Sequence, residues 1–257
     1  MSSPPRPSAP SRERGQQRPK RPIEARNERK AAARTHGPGV TESKSFLIWG
    51  AGGHGRVLGD VILAAGHGIA GYIDGDEGKI GRLVETTGAF ISYHEDAFLE
   101  HILRAGYPVG VDACALGIGS NRLRLKCLES LNGLSVPTVI HPSASISSSV
   151  AIGRGSVIFP NAVINAGASI GQAVIVNSGA IVEHDCRIES GVHISPGAVL
   201  CGGVSVGKLS WVGAGSTVIQ GIKIGSNSIV GAGSTVIRDV DDSTTVVGSP
   251  AHPIRRI

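Results

Sequence analysis

The chain has 257 residues, 40% of them apolar, and a formal net charge of +5. This length allows one or two domains. Of the 25 Lys and Arg residues, 11 lie in residues 1–44 together with only 4 of the 20 Asp and Glu, so the rest of the chain is slightly acidic. The distribution argues against a basic folded surface for nucleic acid. The sequence contains no run of 18 apolar residues, the length needed to span a membrane.

Residues 1–44 are rich in Pro, Ser and Arg and contain almost no large apolar side chain. Such a segment cannot bury a core, so we expect a disordered basic tail: a solvated extension, an over-long predicted start, or a contact for anionic lipid or RNA. It lacks the apolar stretch of a secretory signal. Together with the scattered spacing of the four cysteines, which is typical of reduced thiols, this predicts a cytoplasmic protein. The cysteines are Cys114, Cys127, Cys186 and Cys201.

Residues 45–137 alternate short apolar runs with helical patterns, which predicts βαβ units on a parallel sheet. A buried strand over 46–49 leads into the loop 50–55, GAGGHG, and a helix is expected over 56–65. Strand, glycine loop and helix follow in the order of a phosphate site, because glycines let the backbone approach a pyrophosphate and the helix N-terminus supplies N–H groups. The core-facing side chains of this helix are expected to be Val57, Val61 and Ile62.

A second predicted strand over 70–73 ends at Asp74, where a carboxylate can accept from ribose hydroxyls. Nucleotide binding is therefore favoured over a merely tight turn. A segment of about 90 residues is short for a complete dinucleotide domain, which indicates a nucleotide sugar rather than NAD. Further on, residues 115–122 lead into another helix, where Asn121 and Arg122 either contact a ligand phosphate or base or belong to a helix cap.

From residue 138 the chain is organised by a repeat of six residues. Every sixth residue from Ile146 to Val236 is Ile, Leu or Val, sixteen positions without a gap, and the residue two before each is mostly small. A fixed period of six predicts a parallel β-helix in which three hexads close a triangular coil of 18 residues. Gly, Asn and Ser recur just after the aliphatic position, as at Gly153 and Gly213, and we expect a positive φ there.

The segment Glu183, His184, Asp185 concentrates three titratable groups on one corner of the predicted prism. His184 is expected to point outward between Ala166 and Gly202, which stack on it at 18-residue spacing and leave space around the ring. The flanking carboxylates either raise the basicity of the imidazole, as a general base requires, or serve only solubility.

His193 follows nine residues later, on another side of the prism, so one chain cannot bring the two histidines together. If both serve one site, that site lies between neighbouring prisms of a cyclic homo-oligomer; otherwise His193 is an ordinary surface histidine. No third histidine lies between residues 161 and 237, and no metal site is predicted.

The repeat, the GAGGHG loop, EHDC followed by VHISP, and the closing VVGSPAHPIRRI together resemble the hexapeptide-repeat sugar acyltransferases. The resemblance covers residues 46–257 and is strongest to the branch of the bacillosamine-pathway sugar-nucleotide N-acetyltransferase and the sialic acid O-acetyltransferases. It implies a small Rossmann-like nucleotide-sugar-binding domain over 45–137 and a left-handed β-helix over 138–257. It also implies a homotrimer with acetyl-CoA in the groove between two prisms.

The resemblance implies a role for ten residues. His184 is the catalytic base and Asp185 the acidic residue beside it. The remaining roles are acetyl-CoA binding by His193, Gly202, Ala214 and Ala232, and nucleotide-sugar binding by Gly53, His54, Gly55 and Asp74. Two departures from the family pattern are His252, where a basic residue is usual, and the loop after Asp74, which lacks two adjacent acids.

The predicted activity is transfer of an acetyl group from acetyl-CoA to the amino group of a UDP- or GDP-linked 4-amino-deoxy sugar. His184 would remove the amine proton, and the Gly202 N–H or His193 would stabilise the oxyanion. The sequence leaves three alternatives: a sugar O-acetyltransferase of the sialic acid type, a non-catalytic nucleotide-binding scaffold, and a nucleotidyltransferase regulatory domain. The short first domain argues against the last of these.

Overall fold

A computed structural model describes residues 1–2 and 42–254, so the predicted basic tail lies almost wholly outside the described residues. The chain from residue 42 onward belongs to one compact unit. It contains a small α/β domain followed by a long β-helix. Within the described ranges, no helix is long and apolar enough to cross a membrane.

The α/β domain is built on a five-stranded sheet in the order β3-β4-β2-β1-β5, parallel except for β3. Its strands are β1 Ser45–Trp49, β2 Gly68–Asp74, β3 Leu83–Val84, β4 Ala89–His94 and β5 Ala113–Leu116. Its helices are α1 Gly53–Ala64, α2 Glu95–Ala105 and α3 Asn121–Ser130, and a 3-10 turn spans Glu77–Lys79. The predicted βαβ organisation is confirmed, with the glycine loop between β1 and α1.

The inward face of α1 differs from the prediction at one position. Val61 and Ile62 are buried as expected, but Val57 is 44% exposed and Leu58 is buried instead. The helix begins at Gly53, three residues before its predicted start. Its buried face then follows the spacing i, i+3, i+4 through Leu58, Val61 and Ile62, which turns Val57 toward solvent.

The β-helix begins with β6 Val139–Ile140 and continues through sixteen two-residue strands, each ending on the aliphatic residue of a hexad. They are β7 Ser145–Ile146, β8 Ala151–Ile152, β9 Val157–Ile158, β10 Val163–Ile164, β11 Ser169–Ile170, β12 Ile175–Val176, β13 Ile181–Val182, β14 Arg187–Ile188, β15 His193–Ile194, β16 Val199–Leu200, β17 Ser205–Val206, β18 Trp211–Val212, β19 Thr217–Val218, β20 Lys223–Ile224, β21 Ile229–Val230 and β22 Thr235–Val236. The chain closes with β23 Thr245–Val247 and β24 His252–Ile254, which pair antiparallel.

Each strand of the repeat pairs in parallel with the strand 18 residues away, as the coil length predicts. The aliphatic column and most of the small column fill one continuous core along the prism. Serines in the small column satisfy their buried hydroxyls on backbone carbonyls, as Ser210 does on Gly225 at 2.6 Å. The repeat therefore specifies both the coil and its interior.

The prediction of a positive φ just after the aliphatic residue is wrong. The left-handed conformation falls two residues later, at every sixth residue from Gly155 to Gly233. The glycines directly after the aliphatic residue serve close packing: a Cβ on Gly213 would lie 2.6 Å from the backbone of the next coil. The chain thus needs glycine at one position for space and at the other for conformation.

The prism has three faces and three corners. Face 1 contains β24-β23-β21-β18-β15-β12-β9-β6, face 2 contains β22-β19-β16-β13-β10-β7 and face 3 contains β20-β17-β14-β11-β8. Corners are named by the two faces that they join.

The outward side chains differ between the faces. On face 1, Val157 and Ile175 are buried in one cluster with Phe46 and Leu58 of the α/β domain, which therefore covers the first coils of this face. Face 3 presents polar side chains to solvent, among them Arg187. Face 2 presents an aliphatic row on the outside of the prism. The row consists of Val163, Ile181 and Val199, all partly exposed.

Candidate active site

His184 lies at the 2–3 corner, with 63% of its side chain exposed. Its Nδ1 lies 2.9 Å from a carboxylate oxygen of Asp185. This hydrogen bond, assisted by the charges of Asp185 and Glu183, outweighs desolvation and raises the pKa of His184 above its ordinary value of 6.5. Since Nδ1–H donates to Asp185, Nε2 is the ring atom left to accept a proton.

The two carboxylates beside His184 differ in role. Asp185 contacts the ring, whereas Glu183 accepts only from the backbone N–H of His184, at 3.3 Å. Asp185 adopts a left-handed backbone with φ of 60°. This conformation brings its carboxylate beside the imidazole of the preceding residue.

Gly202 forms the floor under His184. A Cβ on Gly202 would come within 2.5 Å of the His184 Nε2 atom, so the imidazole lies directly against this glycine. The expected outward orientation of His184 in a slot is confirmed. Among the described residues no acceptor is found for the N–H of Gly202, so the glycine that the imidazole contacts still has a hydrogen-bond donor to offer.

His193 lies on face 1 and is only 7% exposed, because the α/β domain covers it. The alternative that His193 is an ordinary surface histidine is wrong, because the side chain is buried. Its Nε2 lies 3.1 Å from the Asn177 side-chain nitrogen, and its Nδ1 is buried with no partner among the described residues. The indole of Trp211 stacks on the ring at 5.3 Å between centroids. Burial first, and then the charge of Arg124, lower the pKa of His193 to about 3.

The glycine loop has the form that the sequence predicts. A Cβ on Gly55 would overlap the carbonyl oxygen of Gly50, which itself has a φ of 107°. Gly53 opens α1 with open space around it and no side-chain cap at the helix N-terminus. The first N–H groups of α1 are therefore directed toward a space that an anion could occupy.

Asp74 closes this loop from the end of β2. One carboxylate oxygen accepts from the Ala51 N–H at 3.0 Å, and the other accepts from the Asp76 N–H and from Lys79 Nζ, both at 3.0 Å. Burial raises the pKa of Asp74, but these hydrogen bonds, led by that of Lys79, outweigh it and hold the pKa below its ordinary value. Asp74 thus stays ionised and orders the loop beside the predicted ribose position.

His54 turns from the glycine loop toward the β-helix. Its ring lies 5.1 Å from that of Phe159 and 6.2 Å from that of His193, measured between centroids. Its Nε2 is buried without a partner among the described residues. Burial, followed by the charge of Arg124, lowers the pKa of His54 to about 4. The predicted nucleotide-sugar loop and His193 are therefore neighbours within one chain.

Three residues at this junction are not predicted from the sequence: Arg124, Asn177 and Trp211. Trp211 is 45% exposed and donates from Nε1 to the Ser195 hydroxyl at 2.6 Å. It lines a cavity of about 410 Å³ together with Asn121 and Arg122. No sequence motif predicts a role for these residues, because their contacts join segments that are far apart in the sequence.

The sequence predicts either a ligand contact or a helix cap at residues 120–122, and the structure shows the cap. Ser120 caps α3 by accepting from the Leu123 N–H at 3.4 Å. Asn121 donates to the carbonyls of Leu209 and Ser210 at 3.2 and 3.1 Å, so it ties α3 to the β-helix. The Arg122 side chain is exposed at the cavity.

The four residues predicted to bind acetyl-CoA do not lie on one corner. Gly202 is at the 2–3 corner below His184, whereas Ala214 and Ala232 are exposed on the 1–2 corner. These two corners flank face 2. His193 belongs to face 1, away from His184 within the chain.

An exposed imidazole with a carboxylate on a hexapeptide β-helix, joined to a glycine loop on an α/β domain, defines a class of acyltransferase. The PglD N-terminal domain family matches residues 45–131. A mutant of perosamine N-acetyltransferase from Caulobacter crescentus, solved in complex with CoA and GDP-perosamine, has 36% identity and a TM-score of 0.75. The match covers 82% of this chain and 97% of that chain.

Two further solved structures are similar to this chain in sequence and in fold. The acetyltransferase domain of PglB from Neisseria gonorrhoeae FA1090 has 34% identity and a TM-score of 0.73, over 82% of this chain and 100% of that chain. WeeI from Acinetobacter baumannii AYE has 25% identity and a TM-score of 0.71, over 81% and 99%. A search of curated proteins gives no match. The chain belongs to the hexapeptide-repeat sugar N-acetyltransferases, and its β-helix is left-handed.

Proposed function

We propose that this protein transfers the acetyl group of acetyl-CoA to the amino group of a nucleotide-linked 4-amino-deoxy sugar, with UDP or GDP as the nucleotide. The observation that carries the proposal is the exposed His184–Asp185 pair above Gly202 in a chain that also has an ordered glycine loop. The relatives support it, since one of them was solved with CoA and GDP-perosamine and another with acetyl-CoA.

In the proposed reaction His184 Nε2 removes a proton from the amine as the amine nitrogen attacks the thioester carbonyl carbon. Asp185 stabilises the imidazolium through Nδ1. The N–H of Gly202 donates to the oxyanion, and collapse breaks the C–S bond as His184 returns the proton to the leaving thiolate. The chain thus supplies base, counter-charge and donor without an acyl-enzyme.

The fit of acetyl-CoA rests on small residues. Gly202 beside His184, and the exposed Ala214 and Ala232 on the 1–2 corner, leave the backbone of two corners open to an extended ligand. We propose that a corner of one subunit faces a different corner of its neighbour, so that the acetyl group lies between His184 of one chain and His193 of another.

This arrangement requires a closed oligomer, proposed to be a homotrimer. The α/β domain covers the first coils of face 1 and face 3 is polar, whereas face 2 presents a row of aliphatic side chains that no described part of the chain covers. Apolar side chains on the outside of a prism are typical of a subunit interface. Light scattering of the purified protein measures the subunit number directly, and a monomer with full activity would contradict the proposal.

We also propose a cytoplasmic location. All four cysteines are free, as thiols of proteins in a reducing compartment are.

The experiment that tests the function measures thiol release from acetyl-CoA with a panel of UDP-, GDP- and dTDP-linked 4-amino sugars, and with sugar hydroxyl acceptors. His184→Ala should lower kcat by about 10²- to 10⁴-fold, the range of general base catalysis, with the oligomer intact. His101→Ala, a change of an exposed histidine on α2, is the matched control and should keep full activity. No thiol release with any acceptor would overturn the proposal, and release only with hydroxyl acceptors would reassign it to O-acetylation.

A further inference from the structure

Arg124 is a fully buried cation at the junction of the α/β domain and the β-helix. It lies in α3, is 0% exposed and heads the largest fully buried side chains. Among the described residues it forms no salt bridge. Burial lowers the pKa of Arg124 to about 9, which leaves the guanidinium charged at neutral pH. A buried charge without a counter-ion persists only where hydrogen bonds satisfy it.

All five N–H donors of the guanidinium are satisfied by oxygen acceptors. Nε donates to the Ala173 carbonyl at 2.8 Å, and Nη1 donates to those of Ile118 and Gly119 at 3.0 and 3.2 Å. Nη2 donates to the Asn121 side-chain oxygen at 2.8 Å. Nη2 also contacts the carbonyls of Gly191 and Val192 at 3.1 and 3.3 Å. A lysine, with three donors at one point, cannot reproduce this fork.

The acceptors belong to the two parts of the site. Val192 directly precedes His193, so one arm of the fork holds the strand that carries this imidazole. The other arm holds the loop after β5. In this loop the Gly117 carbonyl oxygen packs closely against Gly50, since a Cβ on Gly50 would lie only 2.7 Å from it. Because Arg124 binds the Ile118 and Gly119 carbonyls next to Gly117, a shift of Arg124 would also shift the glycine loop.

Asn121 extends the same network. Its side-chain oxygen accepts from Arg124, so its nitrogen is directed to the carbonyls of Leu209 and Ser210. These residues immediately precede Trp211, which stacks on His193. The Arg124 network therefore holds the strand that carries His193 and also the residues that precede Trp211, the stacking partner of His193.

We propose that Arg124 is a positioning residue of the transfer reaction: its guanidinium sets the distance between the acceptor-binding glycine loop and His193, although it touches neither substrate. The inference rests on the proposed function for the identity of those substrates. It assigns to one buried side chain the alignment of two binding elements that lie on different domains.

The test compares Arg124→Lys with Arg154→Lys. Arg154 is the matched control, because it also joins the β-helix to the α/β domain through a carbonyl, that of Leu131 at 3.0 Å, but away from the glycine loop. Misplacement by Arg124→Lys should lower kcat by about 10- to 100-fold with much less change in KM for the nucleotide sugar. Arg154→Lys should lower the thermal midpoint and leave kcat unchanged.

Two further measurements keep the proposal falsifiable. Asn121→Ala removes one arm without replacing the cation and should lower kcat in the same way, even if Arg124→Lys does not fold. In a double variant with His193→Ala, Arg124→Lys should add little to the loss caused by His193→Ala alone. Folded Arg124→Lys and Asn121→Ala proteins with full kcat, or fully additive losses, would overturn the proposal.

Failure of the proposed function is recognised separately. If the native protein releases no thiol with any sugar nucleotide, that function is rejected, and the ring ¹⁵N signals of His193 then test Arg124. Altered His193 signals in Arg124→Lys, but not in Arg154→Lys, would support positioning, and unaltered signals in both would reject it.

Discussion

Asp185 adopts a backbone conformation that its neighbours along the same corner leave to glycine. Gly167, Gly203 and Gly221 stand in the equivalent turns with φ between 71° and 74°, and Asp185 has a φ of 60°. A non-glycine residue in this region costs about 1 kcal/mol. This conformation brings the Asp185 carboxylate to the His184 ring, which supports the proposed role of the pair.

Asp185→Asn should separate the charge of this residue from its conformation. Asparagine tolerates a positive φ but carries no charge, so the pKa of His184 should fall. Because the base must be unprotonated, the acid limb of the kcat–pH profile should move to lower pH, and the plateau should fall roughly tenfold with the weaker base. Glu183→Gln is the control and should move the limb much less. An unchanged limb in Asp185→Asn would remove Asp185 from the mechanism.

The buried histidines predict a loss of stability in mild acid. The pKa values of His54 and His193 are lowered to about 4 and about 3, below 6.5, so between these values the unfolded chain binds more protons than the folded one. The free energy of unfolding should therefore fall as the pH drops from 7.5 to 5, by about 2 kcal/mol for each histidine. The raised pKa of His184 acts in the opposite direction, and the lowered pKa of His67 acts in the same direction.

Urea unfolding at the two pH values measures this effect. His193→Asn removes one titrating group, so its free energy of unfolding should fall by about half as much between pH 7.5 and 5 as that of the native protein. A native protein whose unfolding free energy is the same at both values would show that the two histidines are hydrated in solution.

At the scale of the turn, two adjacent glycines should respond differently to alanine. Gly202→Ala places a Cβ against His184 Nε2, so the ring must move and kcat should fall by about 100-fold with a small change in stability. Gly203→Ala meets only an ordinary van der Waals contact with the Gly221 Cα at 4.0 Å but must adopt a φ of 71°, which should cost about 1 kcal/mol of stability and leave kcat unchanged. Kinetics and thermal melting of the pair test this assignment, and equal kcat values in both variants would contradict it.

The hexad repeat made most of the β-helix predictable, because its period sets the coil length and the register of every strand. The error in turn geometry arose because two glycine columns have different causes: Gly213 is required by close packing and Gly215 by its φ of 63°. Composition alone does not separate these causes. The glycine loop was predictable because its elements are consecutive in the chain.

The surroundings of His193 were not predictable in the same way. Arg124 reaches Ala173 and Val192 across 49 and 68 positions of sequence, and no periodic pattern connects them. His184, in contrast, has its partner as the next residue. The contact between His184 and Asp185 within one turn could therefore be predicted from the sequence, whereas the contacts of Arg124 between the domains could not.

At the scale of the whole molecule, the fold keeps the two histidines on different sides of the prism. His184 is at the exposed 2–3 corner, and His193 lies on face 1 beneath the α/β domain beside the glycine loop. Under the proposed function, one chain thus carries the proposed base at one place and the proposed acceptor-binding loop at another. Assembly through face 2 would bring His184 of one chain beside His193 and the glycine loop of its neighbour.

Mixed oligomers test this division directly. His184→Ala and His193→Ala homo-oligomers should each be nearly inactive, since every site lacks one imidazole. Co-expressed and purified as mixed trimers, the two variants should recover about a third of native activity, because each mixed trimer has one site of three that pairs a native His184 with a native His193 from different chains. Each variant carries a different affinity tag, so that tandem purification isolates the mixed species. If both histidines act from one chain, no mixed trimer contains a native site and the activity stays at the level of the single variants.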